Sequence, residues 1–185
     1  MKAQSLFISV IGVIDVGTRL LAEQLIKSRY PHIRYVRIHT RGRNAATIYA
    51  WNEDLQLTDE EKSELKRFAA GYLTSYVCFQ VKDYPSLKED NVPEVFELPE
   101  RIHQAALNRT LDINGIVSVI NGLFVSGVLT YSRYDPVKGM IYFDVRTTCP
   151  VTDVEQELID RYLYEMVPLG ANFKVNYGQG IGMKT

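Results

Sequence analysis

The spacing of apolar residues changes along the chain, and each change predicts an element. Leu20, Leu21, Gln24, Leu25 and Ile26 recur at helical spacing before Pro31 and predict a helix. Two alternating runs follow, at 33–41 and 46–52, and predict paired strands. Leu65, Phe68, Ala69 and Tyr72 then return to helical spacing, and Val77, Phe79 and Val81 to the two-residue period of a strand. The same succession recurs later. Ile102, Ala105, Ala106 and Arg109 predict a helix near 100–110, with strands at 126–134 and 139–147. Leu158, Tyr162 and Met166 predict another helix, and Ala171, Phe173 and Val175 a last strand. Asp135-Pro136-Val137-Lys138-Gly139 has the chemistry of the turn between the two later strands. The apolar run 116–121 is read as an extra edge strand, and Leu6 to Ile14 as a buried first strand.

Part of this succession is an internal repeat. Leu57–Val81 aligns without a gap on Val151–Val175, matching Thr58 with Thr152, Glu61 with Glu155, Arg67 with Arg161 and Phe79 with Phe173. Each threonine, with a glutamate three residues on, is a candidate helix cap. The predicted fold is therefore α+β: two similar helix–strand–strand–helix–strand units, each a small, mostly antiparallel sheet with helices on one face. The predicted organisation is a first unit at 1–84 with an added N-terminal strand, a linker at 85–99 marked by Pro85, Pro93 and Pro99, a second unit at 100–177, and a flexible glycine-rich tail at 178–185.

Composition narrows the function classes. With 46% hydrophobic and 23% charged residues in 185, the chain has enough apolar material for one or two cores, which argues against disorder. A net charge of −1 gives no overall field to draw in nucleic acid or lipid. No apolar run approaches the length of a membrane span, and the N-terminal run lacks the flanks of a signal peptide. Two cysteines are few for a small secreted domain and suggest a reducing compartment; Cys78, inside an apolar stretch, is expected to be buried. The expected location is the cytoplasm or an assembly such as a virion.

Catalytic and metal motifs are absent. His32, His39 and His103 have no ligand spacing, so neither a metal nor another cofactor is expected, and no nucleophile motif occurs. Ile14-Asp15-Val16-Gly17-Thr18 resembles a phosphate loop of the sugar-kinase and actin-like ATPases. That fold needs two subdomains and a second loop, and a helix cap by Asp15 or Thr18 explains the same residues.

The strongest local feature is a basic strand. Between Glu23 and Glu53 there is no acid, while Arg34, Arg37, Arg41 and Arg43 all occur there. Strand alternation places Ile33, Tyr35, Arg37, His39 and Arg41 on one face, and Val36, Ile38 and Thr40 on the other, toward the core. Outward-facing arginines of this kind suit carboxylates or phosphates. An acidic counterpart lies in the linker: Glu89, Asp90, Glu94 and Glu97. The two could pair within one subunit or head to tail between subunits. These residues are the candidate partner-binding set, and the reading they support is a non-enzymatic assembly subunit of a larger protein complex, such as a virion or phage-tail component. The partners would be other protein subunits, with no membrane. The alternatives are a nucleic-acid-binding module using the basic strand and a small enzyme with its site between the units.

Overall fold

The computed structural model describes residues 17–74 and 76–178. The predicted N-terminal strand, Ile14 to Val16 and the tail beyond Gly178 lie outside the described residues.

Helix α1 (Arg19–Arg29) is followed by β1 (Tyr35–Gly42), β2 (Ala45–Trp51), α2 (Asp59–Phe68, extended by a π turn over Ala69–Leu73) and β3 (Cys78–Lys82). A one-turn helix, α3 (Ser86–Glu89), opens the connection to the second unit. That unit contains α4 (Glu100–Ala106), α5 (Ile113–Asn121), β4 (Gly127–Asp135), β5 (Met140–Thr147), α6 (Asp153–Met166) and β6 (Asn172–Tyr177). Each unit forms a three-stranded sheet, β1-β2-β3 and β4-β5-β6, in which a hairpin pairs antiparallel and the third strand joins parallel. The α+β fold of two similar units is as the sequence predicts.

Local chemistry sets the helix starts. Thr58 and Thr152 form complete capping boxes, each hydroxyl accepting from the N–H of Glu61 or Glu155 while that glutamate accepts from the threonine N–H. Thr18 caps α1 through the Leu21 N–H, and Asp112 caps α5 through the Gly115 N–H. Capping thus accounts for Thr18 of the phosphate-loop resemblance.

The structure extends the repeat and corrects one expectation. Residues 113–121 are helical, where an edge strand was expected at 116–121. A short apolar run rich in Ile and Val fits either state, and Asp112 with Ile116 and Ile120 one turn apart decides for helix. The counterpart of α1 is therefore α5, not the helix near 100–110. At the same 94-residue offset, Ala22 and Ile26 match Ile116 and Ile120, Leu65 and Ala69 match Ile159 and Leu163, and Phe79 matches Phe173, all of them core residues or packed on the core. The hairpins differ in length. Val36 pairs with Ala50 and Leu129 with Val145, so 14 positions separate the first partners and 16 the second. One added residue on each strand leaves the inward faces unchanged.

A second correction concerns Cys78. It is exposed, because β3 turns Val77 and Phe79 inward and alternation sends Cys78 out. Cys149 is exposed as well.

Each unit has its own core, and the two interlock. Leu169, in the turn between α6 and β6, sits in the first core, while Leu20 of α1 packs on the second. Gly170 beside it has φ +85°, and a Cβ there would stand 2.8 Å from Val77 Cγ2. Its carbonyl accepts from the Asn44 N–H at 3.0 Å, so this close approach between units requires glycine.

Candidate functional site

The basic strand is where expectation and structure diverge. As predicted, Val36, Ile38 and Thr40 are buried on the inner face, but Ile33, grouped with the outer face, precedes the strand and is buried in the first core. The other face, expected to point outward, is covered. The last turn of α6 lies over β1, and the connection after β3 lies over β2. Arg37 is 6% exposed; its Nη2 donates to Glu165 Oε1 at 2.9 Å, and its Nη1 lies 3.6 Å from Glu23 Oε1. His39 Nδ1 and the Tyr164 hydroxyl are 2.8 Å apart. Arg41 pairs with Asp90 at 3.1 Å, and Arg34 with Glu53 at 2.6 Å. Arg43 donates to the Val137 carbonyl in the turn of the other hairpin. Each arginine proposed for docking thus has at least one acceptor within its own chain. The reason is geometric: a strand can be covered on its second face by segments distant in sequence, which alternation does not reveal.

Pairing of the acidic linker with the basic strand takes place within the subunit, through one residue. Asp90 accepts from Arg41, from Lys82 at 2.6 Å and from the Tyr49 hydroxyl at 2.6 Å. The Lys82 and Tyr49 hydrogen bonds hold its carboxyl below the usual range. Glu89, Glu94 and Glu97 are exposed and take part in no ion pair among the described residues. Tyr35 is 52% exposed and stacks on Trp51, whose ring meets Tyr84 edge-on.

Four residues that sequence reading passed over complete a buried charge cluster between the units: Arg19 and Glu23 on α1, Tyr164 and Glu165 on α6. The Arg19 guanidinium lies 3.5 Å from the Tyr164 ring centre and donates to Thr40 Oγ1. Burial lowers its pKa. Burial also lifts Glu23 to about 7, against the opposing pull of Arg37 and the Ile38 N–H, which donates to Glu23 Oε1 at 2.8 Å. Burial works against the Arg37 charge, but Glu165 and Glu23 outweigh it and raise its pKa. Burial, then the nearby arginines, lower the His39 pKa. The one sequence signal was the position of Glu23: it is four residues after Arg19, on the inward face with Ala22 and Ile26.

A cleft of about 940 Å³ opens over this cluster. Glu23, Arg37 and Glu165 reach it from α1, β1 and α6, and Tyr35, Trp51 and Val95 line its walls. Arg37 Nε and Glu165 Oε2 are buried there without a hydrogen-bond partner. The junction is therefore a cleft with converging ionisable groups, not a flat contact. Among the described residues no group of histidines, cysteines and carboxylates could hold a metal ion.

No family model and no curated protein matches the chain. Among solved structures it is similar to the periplasmic domain of the T3SS inner membrane protein PrgH from S. typhimurium (fragment 170–392). Identity is 15% and the TM-score 0.31, over 83% of this chain and 66% of that one. The chain thus spans just under two thirds of that fragment. Another structure of the PrgH periplasmic domain has 16% identity and a TM-score of 0.28, over 85% and 67% of the two chains. Scores this low transfer neither fold nor role. None of these similar structures is a virion or phage-tail part, and that expectation has no support. Among the described residues, no helix is long and apolar enough to cross a membrane.

Proposed function

We propose that this chain is a non-enzymatic assembly subunit that docks to other protein subunits through apolar surface rather than through its arginines. One observation carries the reading. The polar chemistry is turned inward to join the two units, while large apolar side chains face out: Val125 is 97% exposed and Val95 75%, with Val128, Val154 and Phe96 also exposed. Apolar surface left uncovered on a folded domain is the usual raw material of protein interfaces. Glu89, Glu94 and Glu97 remain available at the rim of such a contact. The nucleic-acid alternative loses the outward arginine face it rested on.

Light scattering over a range of protein and salt concentrations tests the reading. The expected mass rises above the 21.1 kDa of one chain as concentration rises, with little loss in high salt. A mass fixed at one chain throughout rules out self-assembly and leaves only assembly with different subunits.

A second reading, an enzyme site in the inter-unit cleft, is favoured by Glu23 titrating near 7 beside Arg37. It is the weaker one, because Glu23 is already occupied by the Ile38 N–H and Arg37, as expected of a structural carboxylate.

A further inference from the structure

The outer face of the second sheet is basic and uncovered among the described residues, and residues 93–97 are acidic and unpaired. We propose that this face receives residues 93–97 of a second copy of this chain, so that copies join head to tail. This rests on the assembly reading and names its partner.

Alternation builds the face. Arg133 on β4, Tyr142 on β5 and Lys174 on β6 stand in one row across the three strands, and Arg146 lies on the same face, opposite Val128. Arg133, Arg146, Lys174 and Val128 are exposed, and the three cations take part in no ion pair among the described residues. The Arg133 guanidinium lies 4.0 Å from the Tyr142 ring centre. Against these cations the middle of the face sets the carboxylate of Asp144, which accepts from Asn176 at 2.9 Å. Asp135, at the hairpin end, is taken up by the Val137 and Lys138 N–H groups. The face is left with an excess of positive charge.

The segment has the complementary character. Residues 93–97 are exposed in succession, and residues 92–99 form neither helix nor strand. Across 83–99 Lys88 is the single cation, against Asp83, Glu89, Asp90, Glu94 and Glu97. Arg161, 3.7 Å from the Phe96 ring centre, pairs with Glu157 and leaves Glu94 and Glu97 unpaired. Arg133 and Lys174 stand two strand spacings apart, about 10 Å. Three residues of extended chain, from Glu94 to Glu97, span about 10 Å as well. Val95 and Phe96, between the two acids, then face Tyr142 and Val128.

The first sheet shows this mode within one chain. There the same connection lies over the outer face, and Asp90 pairs with Arg41 and Lys82. The second face is out of reach of its own segment. Helix α6 packs on the inner side of that sheet, and Phe96 lies against Arg161 of α6, so segment and face are on opposite sides of the unit. A contact between them therefore joins two copies and is heterologous. Its charges fix the register and exclude wrong partners more than they add affinity, which rests on the apolar residues.

Mixing two charge-reversed variants of the full chain tests this by sedimentation velocity. Glu94→Lys with Glu97→Lys makes the segment basic, and Arg133→Glu with Lys174→Glu makes the face acidic. All four positions are exposed, and circular dichroism checks that each variant folds. Wild type is expected to grow in mass with concentration. Each variant alone, its segment and face now alike in sign, is expected to associate at least about ten-fold more weakly. An equimolar mixture is expected to regain the wild-type mass, because every segment again meets a face of opposite sign on the other variant. A variant that associates alone as the wild type does, or a mixture no more associated than its parts, overturns the inference while leaving assembly through another surface in place. A wild type that stays monomeric also overturns it, and leaves assembly with different subunits.

Discussion

The two sheets arise from one repeated unit, yet they are buried differently. In the first, six of the seven residues of β2 are buried, on both faces. In the second, β5 alternates between buried and half-buried or exposed, and its outer face is not sealed. Matching the inward residues aligns Arg37 with Thr130, Tyr49 with Asp144 and Trp51 with Arg146. At each position a buried, partnered side chain in the first sheet faces a more exposed one in the second. The first outer face lies beneath α6 and the 83–99 connection, and it closes the joint between units. The second has no such cover among the described residues. Duplicated units need not stay equivalent: once one packs on the other, one sheet becomes interior and the other remains surface.

Substitutions at matched positions test that asymmetry. The largest effect is expected for Arg37→Ala, which leaves Glu165 and Glu23 buried without their guanidinium. It should cost about 3–5 kcal/mol in urea unfolding. Thr130→Ala, at the equivalent place, should cost about 1 kcal/mol or less. Equal losses would mean that the first outer face is not sealed in solution. Tyr49→Ala should follow closely, at about 3 kcal/mol or more for the lost aromatic burial. Asp144→Ala should stay within about 1 kcal/mol.

The shared elements should behave alike. Thr58→Ala and Thr152→Ala each remove one capping box, and each should lower stability by about 1 kcal/mol. A large difference between them would show that the second helices are not equivalent either.

The remaining expected effect is a pH dependence. Glu23 has a folded pKa near 7, above its unfolded value of 4.5, so the folded state holds the proton more tightly. Its contribution is full below about 4.5 and is lost as pH rises toward 7. His39 acts in the opposite sense: its lowered pKa favours folding as pH rises. The clean readout is therefore the melting temperature of wild type minus that of Glu23→Gln. This difference should fall between about pH 4.5 and 7; a flat line would show that Glu23 is not buried as described.

Much of this was legible in the chain. Thr58 and Thr152 with their glutamates mark helix starts by local hydrogen bonding, and the alternation of Val36, Ile38 and Thr40 marks an inner face, because both depend on neighbours a few residues away. Part of the asymmetry was legible too. Ala45-Ala46-Thr47-Ile48-Tyr49-Ala50-Trp51 is nearly continuous in apolar character, the pattern of a strand covered twice, whereas Met140 to Thr147 brings in Asp144 and Arg146. That contrast identifies the sealed sheet without saying what seals it.

The sequence by itself determined the elements, the repeat and the inward faces, since these follow from periods of 2 and 3.6 residues and from caps. Only the tertiary structure decided the fate of the arginines. Arg37 meets Glu165 across 128 positions of chain, and Arg41 meets Asp90 across 49. Charge pairing depends on distance in space, and no local pattern records which distant carboxylate the fold will bring within reach.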